Sequence, residues 1–170
     1  MFSIGASIVR ELDKIPSWNY YRIYQEIKRV SQECAANLGA NPVICWIRPA
    51  EYADESIRCS LARYTDCEVR LAISEEEALN FADKHNCILF IFNLSCYEDS
   101  EAGFSVLEKL RENGHTAPYL VYTTWGKDEQ YESRIIKAGG FACTYHEKEL
   151  LAAVYAALKV GYESKETAGC

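Results

Sequence analysis

The sequence predicts a doubly wound α/β domain built on a five-stranded parallel sheet. Three observations carry that expectation. From residue 42 onward, short apolar runs alternate with segments of helical periodicity. Such alternation implies right-handed crossovers and a sheet covered on both faces. Two of the runs, Val43-Ile44-Cys45-Trp46-Ile47 and Ile88-Leu89-Phe90-Ile91-Phe92, are apolar at every position. Only a strand buried on both faces dispenses with polar alternation. Finally, 170 residues of ordinary globular composition suit one domain with a core of normal size.

Taken in order, residues 4–14 read as a short helix ending at Ile15-Pro16, because the residue before proline avoids the α region. Ser17-Trp18-Asn19 opens a longer helix to Leu38, with Gly39 as its stop and Asn41-Pro42 beyond. Its apolar residues, Tyr20, Ile23, Tyr24, Ile27, Val30, Cys34 and Leu38, fall on one helical face. Residues 1–41 therefore read as a helical extension and 42–160 as the α/β domain. The polar stretch 161–170 reads as a loose tail.

Within the domain, strands are expected at 43–47, 68–72, 88–92, 119–123 and 141–145. Helices are expected at 53–64, from Ser74-Glu75-Glu76-Glu77 onward as a capping box, and at 104–112, 129–137 and 147–159. Asn113-Gly114 and Gly139-Gly140 supply two of the stops. This is the flavodoxin-like class, with strand order 2-1-3-4-5, and function in such sheets sits at the carboxyl ends of the strands. Those ends carry Arg48, Asn93, Thr123 and His146.

A formal charge of -7 argues against nucleic acid as a partner, since the surface repels a phosphate backbone. No apolar run approaches the ~20 residues that span a bilayer. The opening MFSIGASIVRELDK lacks the basic start of a signal peptide, so the expected location is the cytoplasm. Eight cysteines form no C-x-x-C pair, and three histidines give no zinc spacing, so neither metal nor cofactor is expected. Cys45, Cys87 and Cys143 lie in apolar segments and read as small buried hydrophobes. Cys96 and Cys170 are the candidates for redox chemistry.

SEEEAL before a buried strand, AGFSVLEKLRENG, TAPYLVYTTWG and KAGGFACTYHEKELLAAV together resemble response-regulator receiver domains over about residues 43–158. Loop 94–102 is longer than is usual there, and Cys96-Tyr97 stands where Met-Pro is expected. The resemblance implies a phosphoacceptor aspartate ending the third strand and an acidic pair for Mg²⁺ after the first. It further implies a hydroxyl ending the fourth strand and a lysine ending the fifth. Mg²⁺ is a hard ion that takes carboxylate oxygens and neutralises charge on the transferring phosphoryl group.

In this sequence the acceptor position holds Asn93, a poor nucleophile. Arg48 and Pro49 replace the acidic pair, and His146 replaces the lysine. Only Thr123 matches. Arg48 is either a solvated strand-end residue or a guanidinium in the metal's place, bonding Asn93 or Thr123. His146 reads as a surface or capping residue of the last helix rather than a catalyst. Glu51, Asp54, Glu98, Asp99 and Glu101 near the same rim are a weaker alternative cation set.

The expected function is a phosphorylation-independent pseudo-receiver: a non-enzymatic protein-interaction module of bacterial signalling. Its partner surface would carry Tyr131, Tyr145 and Tyr155, since aromatics dominate hot spots. The alternatives are a small-molecule-binding or enzymatic domain using Thr123 and His146 in the strand-end crevice, or a cysteine-based redox sensor. The N-terminal helix, with Tyr20, Tyr24 and Ile27, packs on its own domain or pairs with a second copy as a homodimer.

Overall fold

The computed structural model describes residues 19–48, 55–94, 101–123 and 129–168, with the backbone alone for 161–168. The expected helix at 4–14, Pro49, Glu51, Asp54, Cys96, Glu98, Asp99 and Cys170 lie outside the described residues.

The chain runs α1 (Tyr20–Leu38), β1 (Val43–Ile47), α2 (Ser56–Tyr64), β2 (Glu68–Ala72), α3 (Glu75–Lys84) and β3 (Cys87–Leu94). It continues through α4 (Ala102–Glu112), β4 (Tyr119–Thr123), α5 (Glu129–Lys137), β5 (Ala142–Thr144) and α6 (Glu147–Ala168). The strands are all parallel in the order β2-β1-β3-β4-β5, as the alternation predicts. Local chemistry sets the helix ends. Asn19 Oδ1 accepts from the Arg22 N–H at 3.0 Å, opening α1. Gly39 closes it at φ 69°, a left-handed conformation that favours glycine. At α3, Ser74 Oγ accepts from the Glu77 N–H at 3.1 Å, while Glu77 Oε2 reaches back to the Ile73 N–H at 2.9 Å.

Each face of the sheet carries its own core. On one, Phe90, Phe92, Tyr119 and Val121 pack under α3, α4 and α5 through Ala78, Leu107 and Ile135. On the other, Ile44, Trp46, Leu89, Ile91 and Leu120 pack under α1, α2 and α6. The first helix is therefore a working part of this second layer, not an extension. Ile23, Tyr24, Ile27, Val30 and Cys34 are all buried inside the chain. The reason is geometric. Helix α2 has nine residues and buries only Ile57 and Leu61, too little to cover β1 and β3 alone. The apolar stripe of α1 fills that gap, so it is not left over for a homodimer through the N-terminal helix.

Helix α6 also departs from expectation. It continues to Ala168 where a loose tail over 161–170 is expected. No proline interrupts the stretch, and the internal Gly161 alone does not end the helix. Among the described residues, no helix is long and apolar enough to cross a membrane.

Candidate functional site

Strand register assembles the carboxyl edge. The Arg48 N–H donates to the Ala72 carbonyl at 2.8 Å, carrying β1 one residue past Ile47. Since Ile47 lies opposite Phe92, Arg48 stands level with Asn93. Asn93 pairs with Tyr122, and Tyr122 with Thr144. Side chains alternate along a strand. Trp46, Ile91, Leu120 and Ala142 face the α1–α2–α6 core, so Arg48, Asn93, Tyr122 and Thr144 form a polar row on that same side. Thr123, paired with Leu94, follows Val121 to the other side.

The row is buried. Asn93 is 2% exposed and Thr144 4%. Among the described residues, Asn93 Nδ2 and Thr144 Oγ1 have no hydrogen-bond partner. A buried donor without an acceptor costs on the order of 1–3 kcal/mol, so two in one row mark a site rather than packing alone. Arg48 is buried too, and its Nη1 donates to Glu55 Oε1 at 2.5 Å. Arg48 is thus not a solvated strand-end residue, and Glu55 is one acceptor of its guanidinium. Glu55 stands at the start of α2 and pairs with Arg58 as well. Arg58 first, then Arg48, holds the Glu55 carboxyl below its ordinary range.

His146 is exposed, and its carbonyl accepts from the Leu150 N–H at 2.9 Å, so its backbone opens α6. Its ring lies 4.1 Å from that of Tyr145. Glu101, one of the rim acids, is held by Arg134 at 2.8 and 3.0 Å. Among the described residues, no group of three or more His, Cys, Asp or Glu is placed to hold a metal ion.

The aromatic surface residues separate into two kinds. Tyr24 and Ile27 are core, which removes them from any partner surface; Tyr24 also reaches Glu147 Oε1 at 3.5 Å. Tyr20 remains 49% exposed on α1. Tyr131, Tyr145 and Tyr155 are half-buried. Tyr131 packs edge-on against Phe104 at 5.1 Å, and Lys159 lies over the Tyr155 ring at 5.4 Å.

Sequence reasoning missed Glu55 and Thr144. The first is one acid among several in a charged stretch, singled out only by the fold. The second had a readable signal: a lone hydroxyl two residues beyond Ala142, on the inward phase of a strand.

No protein-family model matches the chain, and no curated protein sequence matches it. Solved structures do. A Francisella response regulator 1452 receiver domain aligns with a TM-score of 0.58 at 18% identity, covering 71% of this chain and 98% of that one. A CheY-like receiver domain protein from Methanospirillum hungatei gives 0.60 at 17%, over 72% and 98%. The chemotaxis response regulator CheY4 of Vibrio cholerae gives 0.56 at 17%, over 68% and 98%. The chain thus has the fold of response-regulator receiver domains, with α1 added to one layer.

Proposed function

We propose that the chain is a receiver-like module that works without phosphorylation, as a non-enzymatic protein-binding component of a signalling system. The observation that supports this best is the ion pair of the buried Arg48 with the half-exposed Glu55, level with a buried Asn93. By its resemblance to receivers, this edge would need carboxylates for Mg²⁺ and an aspartate for the phosphoryl group. It holds a fixed cation, already matched by its own carboxylate, and an amide. Half-exposed tyrosines on α5, α6 and at the end of β5 supply the partner surface.

Intact-mass measurement after treatment with acetyl phosphate and Mg²⁺ tests the reading. No stoichiometric phosphoryl adduct is expected at position 93. Asn93→Asp is expected to remain unmodified, because Arg48 pairs with the new carboxylate. A full adduct on the unaltered chain in the region 93–99 overturns the proposal.

A second reading rests on Asn93 Nδ2 and Thr144 Oγ1, which lack a partner among the described residues. A small polar ligand accepting from both would make this edge a binding site. A rise in thermal midpoint with inorganic phosphate or a simple carboxylate, lost in Asn93→Leu, would favour it.

A further inference from the structure

The opposite end of the sheet carries a feature that neither reading uses. Between β1 and β3 the register shifts: Val43 lies opposite Cys87, but Ile44 lies opposite Leu89. Ile88 is the extra residue. A bulge of this kind interrupts alternation and re-aims the side chains around it. Here Ile88 and Leu89 both enter the α1–α2–α6 core, while Cys87 packs with Phe90 against the other one. Cys45, fully buried, faces that second core as well. The bulge thus turns Cys87 onto the side of the sheet where Cys45 already lies.

Cys87 is also reachable. It is half-buried, and it lines a cavity of about 470 Å³ at the amino ends of β3 and β4. Asp83, His85, Phe90, His115 and Pro118 share that cavity, and His115 Nε2 lies 2.9 Å from Asp83 Oδ1. The two thiols are unlike. Cys45 is pushed up, by its interaction with Cys87 and by burial. Cys87 is pulled down, chiefly by its hydrogen-bond interaction with Cys45 and further by the Arg70 guanidinium, against the opposing effects of burial and the Glu68 carboxylate. An accessible thiol on one strand beside a fully buried thiol on the same side of the next strand is an arrangement suited to two-step oxidation.

We propose that Cys87 is a peroxide-reactive thiol, with Cys45 as the neighbouring thiol that supports and then resolves it. In the first step the Cys87 thiolate attacks one oxygen of a hydroperoxide. The O–O bond breaks, the sulfur becomes a sulfenic acid, and the alcohol or water leaves with the second oxygen. In the second step the Cys45 sulfur attacks the Cys87 sulfur. The S–O bond breaks, water carries away the oxygen and both remaining protons, and a disulfide joins β1 to β3. The two thiols give up two electrons, and the hydroperoxide accepts both.

The test treats the full chain, folded and reduced, with limiting hydrogen peroxide and a 1,3-diketone trap for sulfenic acids, followed by peptide mapping. Exposed Cys59 is the internal reference. Cys87 is expected to be oxidised about tenfold faster than Cys59, read as trapped label or as a Cys45–Cys87 disulfide lighter by its two thiol hydrogens. In Cys45→Ala the disulfide is lost and the rate at Cys87 falls toward that of Cys59, whose own rate stays unchanged. Cys87 reacting no faster than Cys59 overturns the proposal, and so does a Cys87 rate indifferent to Cys45→Ala. Phosphoryl transfer enters none of these outcomes, so the test is separate from that of the signalling reading.

Discussion

The two faces of the sheet are covered by different means. Under α3, α4 and α5, three helices that each follow a strand bury Phe90, Phe92, Tyr119 and Val121. Under α1, α2 and α6, one crossover helix is short, and a helix that precedes the whole sheet takes its place. At about 1.5 Å per residue, α1 is roughly twice the length of α2. It brings Ile23, Tyr24, Ile27, Val30 and Cys34 to a surface where α2 offers Ile57 and Leu61. A covering layer is thus defined by the apolar area it must hide, not by the order of its helices along the chain.

That contrast is open to test, most severely by deletion. A chain beginning at Asn41 would expose the side of the core that includes Ile44, Trp46, Leu61 and Val154. At about 1.5–3 kcal/mol for each large side chain, the loss is comparable to the whole stability of an ordinary domain. No cooperative unfolding transition by circular dichroism is expected. A shortened chain that melts as sharply as the whole one would return α1 to the status of an appendage.

Single truncations sharpen the comparison. Ile27 and Leu107 are both fully buried, one in each layer. Replacement of either by Ala is expected to cost about 2–5 kcal/mol in urea unfolding. The exposed Tyr21→Ala is expected to stay within about 0.5 kcal/mol. An Ile27→Ala cost as small as that of Tyr21→Ala would mean that α1 is only loosely applied.

The smallest effect is electrostatic. Burial, reinforced by the nearby Glu147 carboxylate, pushes the Tyr24 phenol up to about 12. The folded chain then holds this proton more tightly than the unfolded chain, whose tyrosines titrate near ~10. The stability it contributes is whole below pH ~10 and is lost as pH rises through about 12. Tyr24→Phe should remove one late-titrating phenol from the ultraviolet titration and flatten the alkaline fall in stability. An unchanged late phase would place Tyr24 in water.

The strand-end residues were legible because register is fixed by alternation: once Asn93 ends an apolar run and Arg48 ends another, they must meet at one edge. The carboxylate that pairs with Arg48 was not legible, because Glu55 is distinguished from its acidic neighbours only by its place at the start of α2. Cys87 shows the same limit at the other edge. Its apolar surroundings read as burial, yet a one-residue bulge turned it to a cavity and onto the side of Cys45.

By itself, then, the sequence determined the alternation of strands and helices, the central place of β1 and β3, and which residues end the strands, Arg48, Asn93, Thr123 and His146 among them. Each of those is a local property: hydrophobic period, capping chemistry or residue identity at a strand end. Only the tertiary structure decided that the stripe of α1 is consumed within its own domain, that Asn93 and Thr144 share one buried row, and that Cys87 and Cys45 face the same core. These depend on where a helix docks and where a strand slips by one residue. Both are settled by the packing of residues far apart in the chain, where local periodicity carries no information.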